Sequence, residues 1–156
     1  MSQRLWRFST ILSTAVSMSA AFAHLMEMPS KMRYDPALYV RLHRTLYPNF
    51  GRVAGTAEIL SLLSAGGLAW WASKRHSKTY PLTLAAAGSL AAAHGAFWAY
   101  VHPVNKTMPM WSLNAIPPDW TNWRNQWEYT HALRAALVTS ALGALVWSAL
   151  REVPEH

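Results

Sequence analysis

The sequence predicts an all-α, four-helix transmembrane bundle with a short interfacial amphipathic helix between spans one and two. Three observations carry this reading. Hydrophobic residues make up 52% of the 156-residue chain and charged residues only 13%, about half the usual quarter. The charges fall mostly in short stretches between long apolar runs, which is a membrane pattern. Many of the 9 tryptophans and 6 tyrosines stand near the ends of those runs, where an aromatic belt meets the headgroups. Mean hydropathy is only +0.04, because the connecting segments are polar.

The first span is expected over residues 5–28. It opens behind Arg4 and Arg7 and stops at Pro29. A cleaved signal peptide competes with it. Ala21-Phe22-Ala23 fits a small-x-small cleavage site after a basic start, and cleavage would leave His24 as a copper-competent N-terminus. The apolar pattern continues through Leu25 and Met26, which favours a retained span.

Asp35-Pro36 then reads as an N-cap followed by proline at the first helical position. Leu38, Leu42 and Leu46 recur every four residues with Arg41 and Arg44 off that line. This is the expected surface helix, lying on its leucine stripe. Tyr47-Pro48-Asn49-Phe50-Gly51 is expected to end it.

Span two is expected over 52–72, with Glu58 its only charge past Arg52. A short basic loop, Lys74-Arg75-His76-Ser77-Lys78, leads to span three over 80–101, which holds His94. A proline-rich connection over 103–119 contains Met108-Pro109-Met110. Asp119 or Thr121 caps span four, over 121–150. Residues 1–156 thus form one integral membrane domain. Four spans put both termini on one side, and the basic short loop places that side in the cytoplasm of a bacterial inner membrane.

Several function classes are excluded. With no cysteine there is no disulfide, thiolate metal site or cysteine nucleophile. No nucleophile elbow, phosphate loop or catalytic serine arrangement is present. The net charge of +7 reads as contact with anionic lipid headgroups, because no basic stripe with interleaved aromatics lies outside the apolar runs and nucleic acid is not an expected partner. The lipid bilayer and a lipophilic small molecule are the expected partners. A homo-oligomer is compatible with the pattern.

Chemistry is expected where scarce charges enter apolar helices. Of seven acids, Glu27, Glu58 and Glu128 lie within or just inside apolar runs. His24, His94 and His131 match them. By 1.5 Å per residue, all six fall near one level, about 10 Å below the boundary that bears both long connections. The pattern is His24-x-x-Glu27, Glu58, His94 and Glu128-x-x-His131, one set per helix. Carboxylate-bridged di-metal bundles use similar parts. Here His94 replaces a carboxylate and one pair is reversed. One or two transition-metal ions are expected, with iron favoured over copper, manganese or zinc. The alternatives are a haem on two histidines, or a non-enzymatic subunit or transporter whose buried groups form a proton relay or structural glue. Singly, each residue favours packing or ion pairing. Arg134, one turn below His131, is expected to partner Glu58 or Glu128.

Two motifs also bear a resemblance. His102-Pro103-Val104-Asn105-Lys106 and Trp127-x-x-x-His131-x-x-Arg134 resemble motifs of the small four-helix membrane proteins related to anthrone oxygenases. The resemblance covers most of the chain in its pattern of spans and is specific over 102–106 and 127–134. It implies functional roles for Asn105, Trp127, His131 and Arg134. It also implies oxygenation with dioxygen as co-substrate, the chemistry that family performs on aromatic polyketides; the substrate itself does not carry over, and a lipophilic or aromatic one is expected from the membrane setting. The carboxylates and His94 rest on depth alone.

Overall fold

The computed structural model describes residues 2–152. Its helices are α1 (Gln3–Lys31), α2 (Pro36–Thr45), α3 (Tyr47–Lys74), α4 (Tyr80–Ala96), α5 (His102–Thr107) and α6 (Trp120–Leu150). A π-helical turn, Phe97–Val101, joins α4 to α5, and a 3₁₀ turn, Met108–Met110, follows α5. Four stretches, Gln3–Lys31, Tyr47–Lys74, Tyr80–Met110 and Trp120–Leu150, are long and apolar enough to cross a membrane. The protein is an all-α four-helix membrane bundle. Sequential spans pack side by side: α1 on α3, α3 on α4, α4 on α6, and α6 back on α1.

Span four, Trp120–Leu150, matches its expected bounds to within one residue, and the other three run past theirs for local reasons. Pro29 does not stop α1, which runs on to Lys31. So close to the C-terminus a proline removes one ladder bond, and the extra turn buries Lys31 inside the protein. Tyr47-Pro48-Asn49-Phe50-Gly51 does end α2, yet it also opens α3. Pro48 sits in the first turn of α3, where its missing N–H leaves nothing unbonded. Span three likewise continues past residue 101. Pro103 cannot donate to the ladder, and the chain widens just before it, with His102 N–H reaching back five residues to Phe97 O. Asp119 precedes α6 without capping it. Its Oδ2 instead accepts from Trp123 Nε1 at 3.3 Å.

The core of the lower bundle is small-residue packing. Ala65, Leu68, Ala86, Leu90, Ala93, Val138, Ala141 and Leu145 interdigitate there. At the end holding the termini, the buried Arg7 guanidinium donates to Ser148 Oγ (2.9 Å), Thr79 Oγ1 (3.1 Å) and Glu152 Oε1 (2.5 Å). It clamps α1, the α3–α4 loop and the end of α6 together.

The opposite end is closed by α2, held by the Asp35 cap at Leu38 N. The leucine stripe is not its seat. Leu38 and Leu46 face outward, whereas Tyr39, Val40 and His43 are buried against the bundle. The helix is amphipathic as expected, but its inner face is aromatic and polar because it covers a polar site. Arg44 fastens it to the second connection by donating to Pro109 O (2.8 Å) and to Trp111 O.

Candidate active site beneath the interfacial helix

Trp127, on the inner face of α6 and 1% exposed, is the hub of the upper bundle. Its Nε1 donates to Asn105 Oδ1 at 2.8 Å, which fixes the indole to α5. Around its ring stand His131 (centroids 3.9 Å apart), His24, Tyr47 and His43 (4.9 Å each), with Lys31 Nζ 4.5 Å from its centroid. A cation over an aromatic face is an attractive arrangement, stronger away from water.

The six predicted ligands separate into three groups. Glu58 and His94 form the first. His94 Nδ1 is 3.0 Å from Glu58 Oε1, and Trp98 Nε1 lies 3.0 Å from His94 Nε2. An indole N–H only donates, so His94 carries its proton on Nδ1 and both ring nitrogens are engaged. Glu58 Oε2 accepts from Arg134, whose Nε donates to Ala93 O at 3.2 Å. The expected Arg134–Glu58 partnership is present.

Glu27 and Glu128 form the second group. Lys31 Nζ lies 3.1 Å from Glu128 Oε2 and 3.5 Å from Glu27 Oε2. Tyr39 donates to Glu128 Oε1 at 2.8 Å, and Tyr47 to Glu27 Oε2 at 3.4 Å. Glu128 and Lys31 are almost wholly buried, while the Glu27 side chain is 37% exposed and leads to the outer surface.

His24 and His131 form the third, their rings 4.5 Å apart. His131 Nδ1 is 2.9 Å from Trp127 O. A carbonyl only accepts, so neutral His131 is protonated on Nδ1 and carries its lone pair on Nε2. His24 is 7% exposed, and its Nδ1 has no hydrogen-bond partner. That nitrogen is 3.8 Å from Glu27 Oε2.

The six residues expected to bind metal do not form a single group. Among the described residues, no three His, Asp or Glu side chains are grouped to hold a metal ion. The reason is charge and hydrogen bonding. Lys31 and Arg134 hold the carboxylates of Glu128 and Glu58, and His94 has no free nitrogen. The single carboxylates are compensated by protein cations, which stabilises them in a medium where an unpaired charge is costly.

Beneath Trp127 the four spans line a partly open cavity of about 320 Å³. Its wall is mostly apolar, including Ala20, Phe50 and Ile59, and His24, His131, Glu58, His94, Arg134 and Asn105 reach it. His24, Glu58, His94 and His131 of the predicted set therefore share one cavity, while Glu27 and Glu128 sit above it. Few polar groups converging in a largely apolar pocket make a ligand-site geometry.

Sequence reasoning missed Lys31, Tyr39 and His43. Lys31 follows Glu27 by four residues, a helix pairing visible in the sequence. Tyr39 and His43, also four apart, share the face of α2 beside the leucine stripe. Burial holds the His43 imidazole down at about 3, with the Lys31 charge adding to the effect. Burial, then Glu128 beside it, raises the Tyr39 hydroxyl far above its usual range.

Comparison with protein-family models, curated proteins and solved structures finds no match to this chain.

Proposed function

We propose that this protein is a membrane oxidoreductase that oxygenates a lipophilic aromatic substrate in the cavity beneath Trp127, with His131 as general base. One observation carries the reading. The Trp127 carbonyl holds the His131 proton on Nδ1, which leaves the Nε2 lone pair of a cavity-lining imidazole without a partner. A positioned base in an apolar site is the element a proton-abstraction step needs.

The other groups have consistent roles. The substrate ring lies among Phe50, Ile59 and Phe97. His131 Nε2 takes a proton from an acidic carbon or phenol of the substrate. Arg134 uses Nε on Ala93 and Nη2 on Glu58, so its remaining Nη1 can face the anion that forms. A fixed cation beside developing negative charge in a low-dielectric site is a strong stabiliser. Dioxygen is the oxidant. A methylene flanked by two aryl groups plus one dioxygen gives the ketone and one water, so atoms and electrons balance. Asn105 acts by positioning Trp127, and Glu58 by positioning Arg134. The resemblance to anthrone oxygenase-like proteins supports the same reaction class.

The ion pairs support a narrower alternative, in which Glu58, Arg134, Lys31 and Glu128 are structural and the protein is a non-enzymatic membrane subunit. Dioxygen uptake separates the two. Purified protein in lipid nanodiscs should consume dioxygen with anthrone as probe and yield the ketone in equal amount. His131→Ala should lower the rate at least 100-fold while leaving the protein inserted. No uptake above empty nanodiscs across a panel of aromatic carbon acids and phenols would overturn the oxygenase reading.

A further inference from the structure

A second apolar space adjoins the cavity. Between α1 and α3, facing the lipid, runs a groove of about 460 Å³ lined by Val16, Ser19, Ala23, Asn49 and Val53. Ala20, Phe50 and Ala54 line both spaces. The groove and the cavity are therefore neighbours across one wall of two alanines and a phenylalanine. Behind it stands His24, with the Phe50 ring 5.4 Å from its own. His24 lines the cavity, is 93% buried, and its Nδ1 lacks a partner.

These spaces differ in chemistry. Polar groups converge on the inner one. The outer one is a mostly apolar furrow open to the bilayer, with Ser19 and Asn49 the polar side chains in its lining. From Ala23 to Val16 it extends about 10 Å along α1. The alanines leave it open, while Val16 and Val53 on its rims are exposed.

We infer that the site takes an aromatic ring bearing a single hydrocarbon tail, with the ring's hydroxyl or carbonyl against His24 and His131 and the tail laid in the α1–α3 groove. The ligand class is a tailed phenol or quinol that lives in the bilayer. The inference rests on the proposed function for the ring end and adds the tail and its route. Phe50 is the side chain that must turn aside for the ring to pass. A tail that stays in the groove keeps the ring's entry lateral, so the substrate need not leave the membrane.

The test compares two probes, a decyl-substituted benzoquinone and its methyl analogue, by tryptophan fluorescence quenching in nanodiscs. Affinities are expressed per mole fraction in the lipid, which removes simple partitioning. The tail should strengthen binding at least tenfold in the unaltered protein. Ala23→Leu and Val53→Phe, on separate helices and at positions that line the groove but not the cavity, should each remove most of that gain and leave the methyl probe unchanged. Two substitutions guard against one failing to insert. Equal affinities for the two probes, or equal losses for both in each variant, would overturn the tail assignment. In that case methyl-probe binding that still depends on His131 leaves the catalytic reading standing. No binding of either probe would overturn both.

Discussion

Lys31 Nζ lies 3.1 Å from Glu128 Oε2 beneath α2, with Tyr39 donating to the other carboxylate oxygen. Both charged side chains are at most 2% exposed. The pair joins the end of α1 to the start of α6 across the top of the site. Its second carboxylate, Glu27, is half-exposed and stands 3.8 Å from His24, so it also links the cavity to the surface.

Removing one member of this pair leaves the other buried and unpaired. Lys31→Met should destabilise the protein by about 3–5 kcal/mol. Adding Glu128→Gln should recover part of that loss, because the fully buried carboxylate is then gone and the remaining one, Glu27, is partly exposed to water. Thermal unfolding in detergent, followed by loss of helical signal, gives the three values. A double variant as unstable as the sum of the singles would mean that the two residues do not interact.

Gly67 is a close-approach position in the lower bundle. A Cβ there would stand 2.7 Å from Trp6 Cζ2. The Trp6 indole is anchored by its Nε1, which donates to Ser64 Oγ at 2.8 Å. Gly67→Ala should therefore destabilise by about 1–3 kcal/mol, against the small gain alanine normally gives a helix. Gly66 has open space at its Cβ, and Gly66→Ala should be neutral or stabilising. Matched unfolding curves for the two variants would remove the steric account.

His43 makes the docking of α2 sensitive to acid. Its folded-state value of about 3 is below the ordinary imidazole value of 6.5. The unfolded or undocked chain thus binds the proton more readily, and stability falls as pH drops from about 6.5 toward 3. Within that window one proton changes stability by at most about 1.4 kcal/mol per pH unit. Lys31 adds repulsion to the protonated ring, while Tyr39, Tyr47 and Trp127 pack against it. His43→Phe should flatten this part of the pH profile, read by protease access to the 32–46 segment. An unchanged slope would assign the acid sensitivity elsewhere.

The spans were legible in the sequence because length and hydropathy decide them. Their ends were not, because proline has opposite meanings at the two ends of a helix. Pro48 opens α3, and Pro29 sits inside the last turn of α1. The depth argument did bring Glu58 to His94 and His24 to His131. It failed to separate them, since depth along a helix says nothing about rotation around it. His94 is turned toward Glu58 and Trp98, whereas His131 is turned toward His24 and Trp127. Lys31 carried the largest consequence. It lies beyond Pro29 in the sequence, yet α1 runs through the proline and sets it between two of the carboxylates expected to bind metal. Arg134 pairs with Glu58, as its place one turn below His131 led one to expect, whereas no spacing in the sequence shows that Asn105 accepts from Trp127.

In the proposed reaction the His131 lone pair removes a proton from a lipophilic ligand in the cavity. Anaerobic deuterium exchange tests it without any oxygen chemistry. Anthrone is incubated in deuterated buffer with the protein in nanodiscs, and exchange at its methylene is followed by mass spectrometry. Exchange at least tenfold faster than in empty nanodiscs, and lost in His131→Ala but retained in Glu152→Gln, is the predicted result. Exchange equal in the unaltered protein and in His131→Ala would contradict the claim.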